Sequence, residues 1–415
     1  MARIKPFQPY RFTPDAGKLD ELVTQPYDKI SPEMQARYLA QNPHNLVRII
    51  LGERFESDTD EDSVYTRGAS SFRQWIEKGI LQKEAEPSLY AYFQEFEVPD
   101  TGESLIRKGF IALGAVEDYE ARVVHRHEQT LSGPKKDRRQ VLEHTRAHFG
   151  QIFMLYPDPE CRVDAILDDA TSNGPTAHVT DEYGVAHTLF KISDPATIAE
   201  VERLMGDKKL VIADGHHRYE TALGFRNDHP GMEDAQWVMM TLVNMHSRGL
   251  RILATHRVLT GLQGFEIESF IEKAKEKFEV TQFDTPGALT QTWEQPALDR
   301  IRIGVAAKGT DVIYMLERPR GADLDVQVLH NEILDEILGI SQEAVRDEHY
   351  INYVRGLENA TDLVAEGKAE LAFLLEATTV QQVADTSFSG GCMPQKSTDF
   401  YPKLLTGLTI YKLEK

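Results

Sequence analysis

Apolar and polar positions along this chain follow two periods, and they alternate from segment to segment. Residues 89–96, Leu-Tyr-Ala-Tyr-Phe-Gln-Glu-Phe, and residues 108–116 read as strands, joined through the turn Asp100-Thr101-Gly102-Glu103 into a hairpin. Val64, Ala69, Phe72, Trp75 and Ile76 recur at helical spacing and stop at Gly79. Ser31 before Pro32 predicts a capped helix start, and Asp194 before Pro195 predicts another that runs to Met205. Residues 46–51 (Leu-Val-Arg-Ile-Ile-Leu), 123–130, 151–156, 186–192, 235–244, 250–257 and 369–375 read as strands. Residues 133–145, 270–278 and 326–338 read as helices, and 301–306 with 312–316 as a second hairpin. Strands and helices interleaved in this way predict a mixed α/β (α+β) fold. Composition shifts near 120 and 260 divide it into an N-terminal α/β region 1–120, a central core 121–260 and a C-terminal α/β region 261–415.

The sharpest change of pattern is at residues 209–223. Leu210-Val211-Ile212-Ala213 is a buried-strand run, Asp214-Gly215 is a turn signal, and Ala222-Leu223 resume at helical spacing after His216-His217-Arg218-Tyr219-Glu220. A helix N-terminus gathers free N–H groups and a positive dipole end, which suits an anion. Arg218 in the first turn adds a planar donor fork that fits phosphate.

Charge narrows the classes of partner. The 415 residues carry 46 Lys and Arg against 66 Asp and Glu, a net charge of −20, which disfavours nucleic acid and anionic membrane but leaves room for a small basic pocket. Two cysteines, Cys161 and Cys392, are too few for a disulfide framework or a cysteine-rich zinc site. With no apolar run near the roughly 20 residues of a membrane span, and no apolar signal region after Met1, a soluble cytoplasmic protein with a small-molecule partner is the expectation. Oligomeric state has no signature.

Two further segments add candidate chemistry. His127-Glu128 precedes the densest basic cluster, Lys135-Lys136-Asp137-Arg138-Arg139, so Lys136 and Arg138 join the anion site as candidates. The glycine- and proline-bounded loop 390–403 carries Lys396, Ser397 and Thr398, a composition suited to closing over an anion. If residues 214–218 cradle a phosphate, Asp214 is placed to hold Mg²⁺ or orient a histidine. Glu128, with His127 beside it and His217 across the turn, is the best placed general base for phosphoryl transfer. A second reading makes His125, His127, Asp214 and His216 or His217 ligands of a zinc or manganese phosphohydrolase. A third is a nucleotide-binding regulator without turnover. No G-x-x-x-x-G-K-[ST] or G-x-G-x-x-G occurs, so P-loop and Rossmann sites are disfavoured.

The run from Ile212 to Ala222 resembles the signature of a widespread bacterial and archaeal family, domain of unknown function ten-fifteen. The likeness extends to Gln25-Pro26-Tyr27-Asp28, Asn42-Pro43-His44-Asn45, His127-Glu128-Gln129-Thr130 with Lys136-Asp137-Arg138, and Met393-Pro394-Gln395-Lys396-Ser397-Thr398 with Pro402-Lys403. The Asp-Gly-His-His-Arg core also resembles that of the ParB/sulfiredoxin-like fold, above all its free serine kinases. That resemblance implies a ParB/sulfiredoxin-like central domain. It further implies that Asp214, Gly215, His216, His217 and Arg218 bind the phosphates of ADP or ATP. Glu128 would then act as base in the interconversion of serine and O-phosphoserine.

Overall fold

The computed structural model describes residues 1–128, 132–295, 297, 299–321, 323–346 and 349–414. The chain forms two compact units. The first comprises Met1–Arg251 with Ser387–Gly390 and Pro402–Lys415, and the second Ile252–Thr386 with Gly391–Tyr401. Both are mixed sheet and helix, so the expected α/β class holds.

The first unit is built on a nine-stranded sheet: β1 (Ile4–Lys5), β2 (Leu89–Glu97), β3 (Ser104–Ala115), β4 (Val124–His125), β5 (Ile152–Tyr156), β6 (Ala177–Thr180), β7 (Ala186–Ile192), β8 (Leu210–Asp214) and β9 (Trp237–Asn244). Their order is β4-β8-β5-β9-β3-β2-β7-β6, with β1 paired to β3. β8 runs parallel to β4, β5 parallel to β9, and the other pairs are antiparallel. The first hairpin expected from sequence is β2–β3.

Alternation along the strands sorts their side chains to two faces. One carries Ala91, Phe110, Met154, Ile212 and Met240, which pack with Val163, Leu167, Val201 and Tyr219 into the largest core of this unit. The helices contributing these are α5 (Arg162–Ala170), α6 (Pro195–Met205) and α7 (His216–Asp228). The other face carries Tyr92, Gln94, Arg107 and Thr241, all buried and all polar.

The capped starts behave as their sequences imply. Ser31 accepts from the Met34 N–H at the start of α1 (Pro32–Gln41), and Asp194 accepts from Thr197 N at the start of α6. α3 (Val64–Glu77) buries Ala69, Phe72 and Trp75.

Three strand expectations fail, the simplest being 250–257, which breaks at Ala254 into the strands Arg251–Leu253 and Thr255–Leu259 of two different sheets. Residues 46–51 are not a strand: Val47–Ile50 is a short helix, α2. Buried Asn45 explains it, because its Oδ1 accepts from the Val47 N–H at 2.9 Å and closes the first turn. Gly68 of α3 then lets α2 in, since a Cβ there would lie 3.1 Å from the Ile49 carbonyl oxygen. The run at 123–130 is a strand only over β4, and its Gln129 and Thr130 lie outside the described residues.

The second unit is a six-stranded antiparallel sheet, β10 (Thr255–Leu259), β11 (Glu279–Phe283), β12 (Arg300–Ala307), β13 (Ile313–Pro319), β14 (Ile351–Arg355) and β15 (Leu371–Leu375), in the order β11-β13-β12-β15-β10-β14. β12 and β13 are the second expected hairpin. Among the described residues, no helix is long and apolar enough to cross a membrane.

Candidate functional site

Strand β8 ends at Asp214, helix α7 begins at His216, and Gly215 alone makes the turn. Gly215 has φ +94°, in the left-handed region that glycine enters without steric cost. A Cβ there would lie 3.0 Å from Arg218 Cζ, so the guanidinium lies flat against the turn. The first amide of α7 bonded within the helix is Tyr219 N–H, to the Gly215 carbonyl at 2.9 Å. The His216, His217 and Arg218 amides precede it in the first turn, where an α-helix has no carbonyl of its own to offer.

The Arg218 fork is turned inward. One arm donates to Asp214 Oδ2 at 2.7 Å and the other to the Gln151 carbonyl. Lys403 Nζ lies 3.6 Å from the other Asp214 oxygen. Burial by itself would raise the Asp214 carboxyl, but Lys403, Arg218 and Lys29 outweigh it and hold the group well below the usual carboxylate range. The residues at Asp214 therefore do not fit the expected Mg²⁺: both oxygens face cations, and a divalent ion would have to displace one of them.

His127 and Glu128 lie beside this turn. His127 is fully buried, and its Nδ1 donates to the Ile212 carbonyl at 2.7 Å. A carbonyl only accepts, so the proton is on Nδ1 and Nε2 presents a lone pair. That Nε2 is 3.8 Å from Glu128 Oε1. The His127 N–H donates to His216 Nε2 at 3.5 Å, and the two rings meet edge to face at 4.7 Å. Burial lowers the His127 pKa, outweighing the Glu128 carboxylate, which by itself would raise it. Burial and the neighbouring His127 lower that of His216 further. Both imidazoles are neutral at pH 7. His217, the second residue of α7, is half-buried.

The other expected residues have separate places. Arg138, on α4 (Ser132–Thr145), is buried, donates to the Ile50 carbonyl at 2.7 Å and lies 3.9 Å over the Tyr27 ring. Tyr27 is pushed up to about 12, first by burial. Tyr27, Arg138 and Arg218 line one cavity of about 60 Å³, floored by Ile50, Val141 and Ile152. Lys136 is exposed. His125 does not share the direction of His127: its two nitrogens meet the carbonyls of Ser387 (3.1 Å) and Arg122 (3.0 Å). Among the described residues, no group of three or more His, Cys, Asp or Glu is arranged to hold a metal ion. Lys396, Ser397 and Thr398 belong to the second unit. There Lys396 adopts φ +57° and Ser397 Oγ donates to the Pro394 carbonyl.

Sequence reasoning left Lys29 and Arg107 out of the site and reached Lys403 only as the second lysine of the 390–403 loop. The Pro402-Lys403 and Gln25-Pro26-Tyr27-Asp28 motifs were the available signals, but nothing local assigns either lysine to Asp214.

A mixed sheet whose strand passes through a single glycine into a helix N-terminus ringed by basic groups is a common architecture for small anionic ligands. The chain belongs to the family described as "Protein of unknown function (DUF1015)", whose model matches residues 4–336. No curated protein matches it. Among solved structures it is similar to a conserved hypothetical protein from Pyrococcus furiosus, at 13% identity and a TM-score of 0.35, covering 67% of this chain and 87% of that one. It is similar to a free serine kinase in complex with AMP, at 13% identity and a TM-score of 0.36, covering 69% and 89%. A C-terminally truncated SbnI from Staphylococcus aureus is similar at 11% identity and a TM-score of 0.35, covering 72% and 87%.

Proposed function

We propose that the chain is a nucleotide-dependent phosphotransferase that moves a phosphoryl group between ADP or ATP and a small hydroxyl compound, with free serine the first acceptor to test. The observation that carries this reading is the α7 N-terminus, with the His216, His217 and Arg218 amides at its first turn and Lys403 and Lys29 near Asp214, in a chain of net charge −20. The likeness of Asp214 to Arg218 to the free serine kinase core supports the same ligand.

In this reading the α7 amides and Lys403 bind phosphoryl oxygens. Glu128 takes the proton of the attacking hydroxyl. Neutral His127, with its Nε2 lone pair 3.8 Å from Glu128 Oε1, accepts a hydrogen bond from a water beside the hydroxyl. Gly215 and Arg218 keep Asp214 as the fixed centre of the cradle, and no step runs through a metal held by the protein.

The competing reading, a nucleotide-binding regulator without turnover, draws on one observation. Both arms of Arg218 are already engaged, by Asp214 and Gln151, so a phosphoryl clamp would have to open that pair first.

One experiment decides between them. The protein is incubated with ATP or ADP, MgCl₂ and serine, and phosphoserine is followed by ³¹P NMR. Product is expected from the wild type. Glu128→Gln should lower its rate by about 100-fold or more while ADP binding persists. Wild-type protein that binds nucleotide but forms no product leaves the regulator.

A further inference from the structure

Lys403 sits in the short stretch with which the C-terminal segment re-enters the first unit at Pro402. An exposed lysine on such a stretch would wander. This one is held by buried polar side chains of the sheet, through its backbone. Gln94 Nε2 donates to the Lys403 carbonyl at 2.8 Å, Arg107 donates to the Pro402 carbonyl, and the Leu405 N–H donates to Tyr92 Oη at 3.3 Å.

The three anchors form a connected row. Gln94 on β2 is the direct cross-strand partner of Arg107 on β3 and of His187 on β7. Arg107 Nε donates to Gln94 Oε1 at 3.0 Å. A guanidinium only donates and a carbonyl only accepts, so the Gln94 amide has one possible orientation, Oε1 to Arg107 and Nε2 to Lys403. Tyr92 Oη donates to His187 Nδ1 at 2.7 Å, and His187 Nε2 donates to Asp181 at 3.2 Å. Asp181 also accepts from Gln25 at 3.0 Å, which ties in the Gln25-Pro26-Tyr27-Asp28 segment. Arg107, Gln94, Tyr92 and His187 are each 1% exposed. Buried polar rows of this kind fix one geometry, because a shifted member leaves others without partners. Burial brings the Arg107 pKa down to about 9, so the guanidinium keeps its charge at neutral pH.

We propose that Arg107, Gln94 and Tyr92 are positioning residues that hold Lys403 at Asp214 and thereby set the anion affinity of the turn. This rests on the phosphate reading of residues 214–218. Each of the three acts through the 402–405 backbone on the Lys403 ammonium.

The test is a double-mutant cycle on the full chain, with ADP as probe and calorimetry as readout. Lys403→Ala should weaken ADP binding by about ten-fold, the value of one charge-assisted contact. Gln94→Leu should cost most of that in the wild-type background and almost nothing once Lys403 is alanine. An equal loss from Gln94→Leu in both backgrounds, or none in either while Lys403→Ala does weaken ADP binding, overturns the proposal. Tyr92→Phe, which removes only a hydroxyl, is the milder variant should Gln94→Leu fail to fold, and the same non-additivity is expected of it.

A second readout needs no nucleotide. Lysines are labelled by reductive ¹³C-methylation, and the Lys403 resonance is assigned by its loss in Lys403→Arg. Gln94→Leu or Tyr92→Phe should shift that resonance, and an unmoved resonance in both also overturns the proposal. Loss of ADP binding by none of the variants, with the resonance moved, retains the positioning and refutes the phosphate reading.

Discussion

At the scale of single residues, the turn depends on Gly215 for two separable reasons. Its φ of +94° costs a residue with a Cβ about 1–2 kcal/mol. The Arg218 guanidinium, 3.0 Å from where that Cβ would be, adds crowding. Gly79 separates the two, because it has φ +72° and nothing within 4 Å of an added Cβ. Gly79→Ala should therefore lose about 1–2 kcal/mol in urea unfolding, and Gly215→Ala more than that. Equal losses would mean that Arg218 moves aside freely. The residue types of this turn were legible in the sequence, since a strand run, a glycine and a helix start are local patterns. The direction of Arg218 was not, because its partner Gln151 is 67 positions away. Lys403 is further still from Asp214 in sequence, and only the folded backbone brings the two together.

At the scale of elements, the instructive failure is residues 46–51. A six-residue run with five apolar positions fits a buried strand or a buried helix equally well, and period alone does not arbitrate. Asn45 does. Its Oδ1 takes the Val47 N–H, and its Nδ2 donates to the Glu21 carbonyl at 2.8 Å. Replacing it with alanine leaves a buried N–H and a partly buried carbonyl without these partners, at a cost of about 2–3 kcal/mol. Asn45→Ala should lower the urea midpoint accordingly without changing the far-ultraviolet circular dichroism of the remaining native protein. A loss below about 0.5 kcal/mol would show that water replaces both bonds. The short β4 teaches the same lesson from the other side. Alternation put His125 and His127 on one face, but the strand ends at His125, and the two rings take different carbonyls. The metal-ligand reading depended on that shared face.

At the scale of the whole molecule, the first unit gathers three separate stretches of chain, and that membership has no local signature in the sequence. What composition did signal was fourteen histidines in an acidic protein, and burial makes several of them acid-sensitive. In the second unit His256 is brought down to about 4 and His330 to about 3, in each case mainly by burial and then by Arg257. His330 Nε2 is buried and has no hydrogen-bond partner among the described residues. The folded pKa values lie below the unfolded value of about 6.5, so the unfolded chain binds protons first. Stability is complete above pH 6.5 and falls as pH drops, by about 1.4 kcal/mol per pH unit for each histidine until its folded pKa is reached. Trp293 is the reporter in this unit, and the other two tryptophans, Trp75 and Trp237, belong to the first. With both of those changed to phenylalanine, Trp293 fluorescence follows urea unfolding of the second unit at pH 7.5, 6.0 and 5.0. His330→Leu should flatten the pH dependence by about 1.4 kcal/mol per unit below pH 6.5. An unchanged slope would mean that His330 keeps its proton in the folded state, and that the acid sensitivity of this unit lies in His256 alone.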